Sequence, residues 1–79
     1  MNDFRPKYYY KTRVGIFSIV PIREGRWEAY FGDEGLGTYH SPRAAAADLS
    51  VGHTFTPSCG DTAALGIPSD IGEWSTRPD

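Results

Sequence analysis

The run Gly25-Arg26-Trp27-Glu28-Ala29-Tyr30-Phe31, followed by Gly32-Asp33-Glu34-Gly35, by Leu36-Gly37-Thr38-Tyr39-His40-Ser41-Pro42 and by an alanine tract, constrains this chain more than any other stretch. Trp27, Ala29 and Phe31 share one parity and Arg26, Glu28 and Tyr30 the other, the period-2 pattern of a half-buried strand. Gly32 to Gly35 predicts a hairpin, because glycine accepts the positive φ of tight turns, and Leu36 to His40 then pairs back. Ser41 offers a side-chain acceptor to the exposed amides of a helix, and Pro42 occupies a first helical position where no donor is lost. Ala44 to Leu49 propagates that helix and Gly52 ends it, with Ala45, Ala46 and Leu49 as its inner stripe. A strand, a hairpin, a second strand and a capped helix are thus encoded in one continuous segment.

Upstream, Tyr8 to Arg13 predicts a strand and Val14-Gly15 a turn or bulge. Ile16-Phe17-Ser18-Ile19-Val20-Pro21-Ile22 is apolar at both parities, with Phe17 and Ile19 on one face and Ile16, Val20 and Ile22 on the other. A strand of that kind expects cover on both faces. Arg23-Glu24-Gly25 makes a tight reversal into the next strand. The expected fold is α+β: a small three- to four-stranded antiparallel sheet packed on one α-helix, with an irregular C-terminal tail. Residues 1–79 form one small domain, with a sheet-plus-helix core over 8–52, a wrapping tail over 53–74 and a frayed end at 75–79. Phe55, Leu65, Ile67, Ile71 and Trp74 are the tail's apolar anchors, and disordered segments are poor in such groups. Trp27, Ala29, Phe31, Leu36, Tyr39, Ala45, Ala46 and Leu49 build the expected core.

A chain of 79 residues supports one thin core, for which 2 Trp, 5 Tyr and 4 Phe supply much of the buried area. The single cysteine, Cys59, excludes an internal disulfide framework, so a reducing compartment is the natural setting. The first residues lack an apolar run behind a basic start, and no segment approaches the length needed to span a bilayer. The sequence therefore predicts a cytoplasmic protein that does not engage membranes.

The net charge of −2 conceals a division. From Met1 to Arg26, six basic residues oppose Asp3 and Glu24, a balance of +4; from Trp27 to Asp79, Arg43 and Arg77 oppose eight acids, a balance of −6. The basic half contains Arg5, Lys7, Tyr8, Tyr9, Tyr10, Lys11 and Arg13, where cations interleave with aromatics in a mixture that can join phosphate contacts to base stacking. An edge strand that buries its tyrosine rings and deters edge pairing with its lysines has the same composition.

Catalytic chemistry has little support. Cys59, His40, His53 and Asp61 are the residue types of a nucleophile, a base and an orienting acid, yet no spacing rule brings them together. One Cys and two His fall short of a zinc set, and Gly32 to Gly37 opens a strand instead of a helix and lacks the lysine of a phosphate loop. No catalytic residue, metal ligand or cofactor is expected.

The pattern Gly-x-Trp-x-Ala-x-Phe followed by Leu-Gly-Thr-Tyr-x-Ser-Pro-x-x-Ala-Ala resembles the second half of AP2-type DNA-binding domains and the related arm-binding domains of phage integrases. The resemblance runs from about Gly15 to Leu49 and implies a three-stranded antiparallel sheet backed by a helix, with the open face of the sheet turned to the DNA major groove. On that face it would set Arg26, Glu28 and Tyr30, while no Arg or Lys lies between Asp33 and Ser41, a poor provision for neutralising phosphates. The chain also resembles a group of small bacterial proteins of unassigned activity that share Leu-Gly-x-Tyr-x-Ser-Pro, Gly-x-Thr-Phe-x-Pro-Ser, Leu-Gly-Ile-Pro and a late Trp. That likeness covers nearly the whole chain and implies no activity.

Two readings stay open. In one, a non-enzymatic module binds another protein, or a second copy of itself as a homodimer, through a sheet edge or an aromatic patch. In the other, an AP2-like accessory protein binds nucleic acid. The residues that would serve either are Arg5, Lys7, Tyr8, Tyr9, Tyr10, Lys11, Arg13, Arg26 and Tyr30. The choice turns on whether the tail after Gly52 covers the sheet face opposite the helix.

Overall fold

A computed structural model describes residues 7–77 of the chain. Five strands, β1 (Lys7–Thr12), β2 (Gly15–Pro21), β3 (Trp27–Phe31), β4 (Glu34–Tyr39) and β5 (Ser75–Arg77), form one sheet in the order β4-β3-β2-β1-β5. Every pairing is antiparallel. One helix, α1 (Pro42–Val51), and two short 3-10 turns, Thr62–Leu65 and Ile71–Glu73, complete the α+β fold.

The first four strands form consecutive hairpins because the loops between them are short. Arg23 to Arg26 reverses the chain with Glu24 at φ 63 and Gly25 at φ 71, and the Arg26 N–H donates to the Arg23 carbonyl at 3.3 Å. Between β3 and β4 the register slips from Ala29↔Gly37 to Tyr30↔Gly35, so Leu36 is the extra residue of a bulge on β4 and its side chain is buried.

Helix α1 begins where the sequence predicts. The Ser41 hydroxyl accepts from the Ala44 N–H at 3.1 Å, Pro42 fills the first turn, and Gly52 closes the helix at φ 79. Ala45, Ala46 and Leu49 are fully buried against Phe17, Ile19, Ala29 and Leu36. Small side chains on the helix let it lie close on the sheet. Tyr8, Tyr10, Trp27, Phe31 and Tyr39 pack around this cluster on the same side.

The tail lies on the helix side as well. Ile67 and Trp74 join the core, with Leu65 and Ile71 packed against it. Trp74 sets its ring 5.7 Å from that of Tyr10, and its indole N–H donates to the Pro68 carbonyl at 3.1 Å. Both 3-10 turns begin at capping aspartates, the Asp61 carboxylate accepting from the Ala63 N–H and the Asp70 carboxylate from the Gly72 N–H.

The expected α+β fold of an antiparallel sheet on one helix is borne out, and the structure differs from the sequence reading in four details. The sheet has five strands, because residues 75–77, expected to fray, pair with β1; residues 78–79 lie outside the described range. Strand β1 is consequently interior, flanked by β2 and β5, and not an edge. Phe55 does not anchor the tail: it is 73% exposed, while its N–H donates to the Leu36 carbonyl at 3.2 Å along the outer side of β4. Among the described residues strand β2 is covered on one face only, since the tail closes over the helix side and leaves Ile16 50% exposed.

Candidate interaction face

The sheet face opposite α1 is built by parity. In β1 the side chains of Tyr8 and Tyr10 go to the core, so Lys7, Tyr9 and Lys11 point the other way. The same alternation places Ile16, Ser18 and Val20 of β2, Glu28 and Tyr30 of β3, Thr38 of β4 and Ser75 of β5 on the outer face.

The registers turn these positions into rows. Ser75, Tyr9, Ser18, Tyr30 and Gly35 run across all five strands, so two tyrosines flank the central Ser18. A second row joins Val20, Glu28 and Thr38. A third pairs Lys11 with Ile16. Between Tyr9, Lys11, Ile16 and Ser75 the surface dips into a groove of about 380 Å³. Gly35 leaves room for the Glu28 carboxylate, whose Oε2 would stand 2.7 Å from a β-carbon at that position. The face therefore has a mixed aromatic and aliphatic centre with Lys7, Lys11 and Glu28 around it.

The predicted site residues separate into groups. Lys7, Tyr9, Lys11 and Tyr30 come together on the open face. Tyr8 and Tyr10 do not: Tyr8 packs its ring 5.9 Å from Trp27 and Tyr10 meets Trp74, so both are half-buried against the core on the helix side. The alternation of a strand buried on one side turns their rings to the helix side, away from Tyr9. Arg13 is exposed in the β1–β2 turn and Arg26 in the hairpin before β3, at opposite ends of the sheet. Arg5 lies outside the described residues. Sequence reasoning missed Ser18 and Ser75 as members of the face; the parity of β2 was enough to find Ser18, whereas nothing local marks Ser75.

The shifted ionisations lie away from this face. Tyr39 is pushed up to about 12 by desolvation and by the Asp48 carboxylate, to which it is hydrogen-bonded. Glu34 is held below the usual carboxylate range by its hydrogen bonding to Ser58, whose N–H donates to Oε1 at 2.9 Å and ties the tail to the β3–β4 hairpin. Among the described residues no group of three or more His, Cys, Asp and Glu is arranged to hold a metal ion, and no helix is long and apolar enough to cross a membrane. Comparison with family models, with curated proteins and with solved structures returns no match.

Proposed function

We propose that this protein is a small, non-enzymatic interaction module of the reducing cytoplasm that binds a protein partner through the open face of its sheet. The observation that carries this reading is Ile16, half exposed on the central strand and in line with Ser18 and Val20, with Tyr9 and Tyr30 flanking Ser18. Both sheet edges are less suited to strand addition. The β4 edge already accepts the Phe55 N–H, and β5 offers three residues. An aromatic and aliphatic centre with charges at its margin is the anatomy of a protein interface.

A photo-crosslinking side chain at Ser18 tests the proposal in cells. The expected result is a covalent protein adduct that disappears when Tyr9 and Tyr30 are both changed to Ser, with the thermal midpoint of the free protein little altered because neither ring lies in the core. Absence of any protein adduct would sink it.

One observation favours nucleic acid as the second reading: Lys7, Tyr9 and Lys11 share the sheet face opposite the tail over 53–74, the side that the AP2 resemblance assigns to DNA. Against it stand Glu28 on the same face and the net charge of −2. Fluorescence anisotropy with labelled duplex and single-stranded oligonucleotides at about 50 mM salt distinguishes the two, because phosphate-driven binding is strongest at low salt. A flat titration there removes the second reading.

A further inference from the structure

We infer that the partner seated on the open face is a second copy of this chain, packed sheet to sheet about a two-fold axis parallel to β2. This rests on the proposal that the open face binds protein. A two-fold interface must be complementary to itself, and the distribution of charge on this face satisfies that condition in one orientation only.

Lys7 lies on β1 one step beyond the Tyr8↔Ile19 pair, level with Val20, and Val20 pairs with Glu28 on β3. An axis running along β2 above Ser18 lays β1 of each copy over β3 of the other. Lys7 then faces Glu28 of the second copy, Tyr9 faces its Tyr30, and Ile16, Ser18 and Val20 meet their own counterparts. Both cross-interface charge pairs are of opposite sign. Turning the axis perpendicular to the strands gives the reverse result: β1 lies over β1, the Lys7 row falls on the Lys11 row, and Glu28 faces no cation. Like charges set directly opposite one another destabilise, which selects the first arrangement.

The area suits a reversible dimer. Strands of 6, 7, 5, 6 and 3 residues, spaced about 4.8 Å apart and rising about 3.4 Å per residue, give a footprint near 440 Å² per copy, or about 900 Å² in total, the size of a weak, transient contact. Stacked sheets about 10 Å apart leave room for the two tyrosine pairs and the three central side chains to interdigitate. Association is therefore concentration-dependent.

Sedimentation velocity of the full chain between about 5 and 500 µM, a range that brackets weak association, tests the inference. The wild type is expected to pass from monomer to dimer across it. Glu28→Lys and Lys7→Glu are each expected to weaken self-association at least about tenfold, since each sets like charges opposite one another. An equimolar mixture of the two variants is expected to regain the dimer, because every facing pair is then Lys against Glu, and that recovery also shows that both variants are folded. A wild type that stays monomeric throughout, or a mixture that fails to associate while the single variants are folded by circular dichroism, overturns the inference. The Ser18 crosslink separates this failure from that of the underlying reading: an adduct with a different protein, formed by a monomeric wild type, removes the second copy and leaves protein binding at the open face standing.

Discussion

The Thr62 hydroxyl donates to the Leu49 carbonyl at 2.6 Å, close to the end of α1, where the last carbonyls have no partner within the helix. Thr62 is 1% exposed, so no water can replace it. Thr62→Val keeps the shape and removes the donor, and it is expected to cost about 1–2 kcal/mol, read as a lower urea midpoint at unchanged slope. Tyr39 supplies a second test. Its ionisation is displaced upward in the folded protein, so the contribution is complete below the unfolded value near 10 and is lost as pH rises toward about 12. Urea stability measured from pH 8 to pH 11.5 should fall at the alkaline end, and the Tyr39→Phe variant should lose that part of the decline. Glu34 has the opposite sign: its lowered value stabilises the fold above the ordinary carboxylate range, and this is lost as pH falls through the folded value. Glu34→Gln should accordingly flatten the acid limb of the same profile.

The contact between α1 and the sheet is made by alanines, and Ala45 and Ala46 have no exposed surface. Ala46→Leu inserts three carbons where the backbones already approach closely, and it is expected to destabilise by about 1–3 kcal/mol in urea titration. This element was legible from sequence because its signals are local: the Ser41-Pro42 start, the alanine stripe and the Gly52 stop all lie within one helix. The alternation of Trp27, Ala29 and Phe31 was legible for the same reason. Tyr8-Tyr9-Tyr10 was not, since three identical residues carry no parity of their own. Which rings turn inward is decided by pairing with β2, where Tyr8 meets Ile19 and Tyr10 meets Phe17. The composition of β2 misled in the other direction. Ile16 and Val20 ask for cover, and the tail instead closes over the helix side, because Ile67 and Trp74 complete a core that Phe17, Ile19 and Leu49 have already begun. Ser75-Thr76-Arg77 could not be read as a strand at all; it contains no apolar residue, and its place follows from Trp74 immediately before it.

Across the whole molecule, Trp74 is the joint between tail and sheet. Trp74→Ala removes a buried ring that touches Tyr10 and is expected to cost about 3–5 kcal/mol. Its signature in hydrogen exchange should be regional, with the amides that pair β1 to β5 opening first while the β3–β4 hairpin keeps its protection. The pairing that Trp74 secures also sets the order in which the sheet is completed. Tyr8 and Thr76 are partners 68 positions apart. At a synthesis rate of roughly 5–20 residues per second, the ribosome delivers the second roughly 3–14 s after the first. During that interval the outer side of the first strand has no neighbour, and its peptide groups form an open template for other chains. The chain is thus most vulnerable to misassembly while it is being made, and a chaperone that shields Lys7 to Thr12 would matter more to its yield than any gain in the stability of its helix.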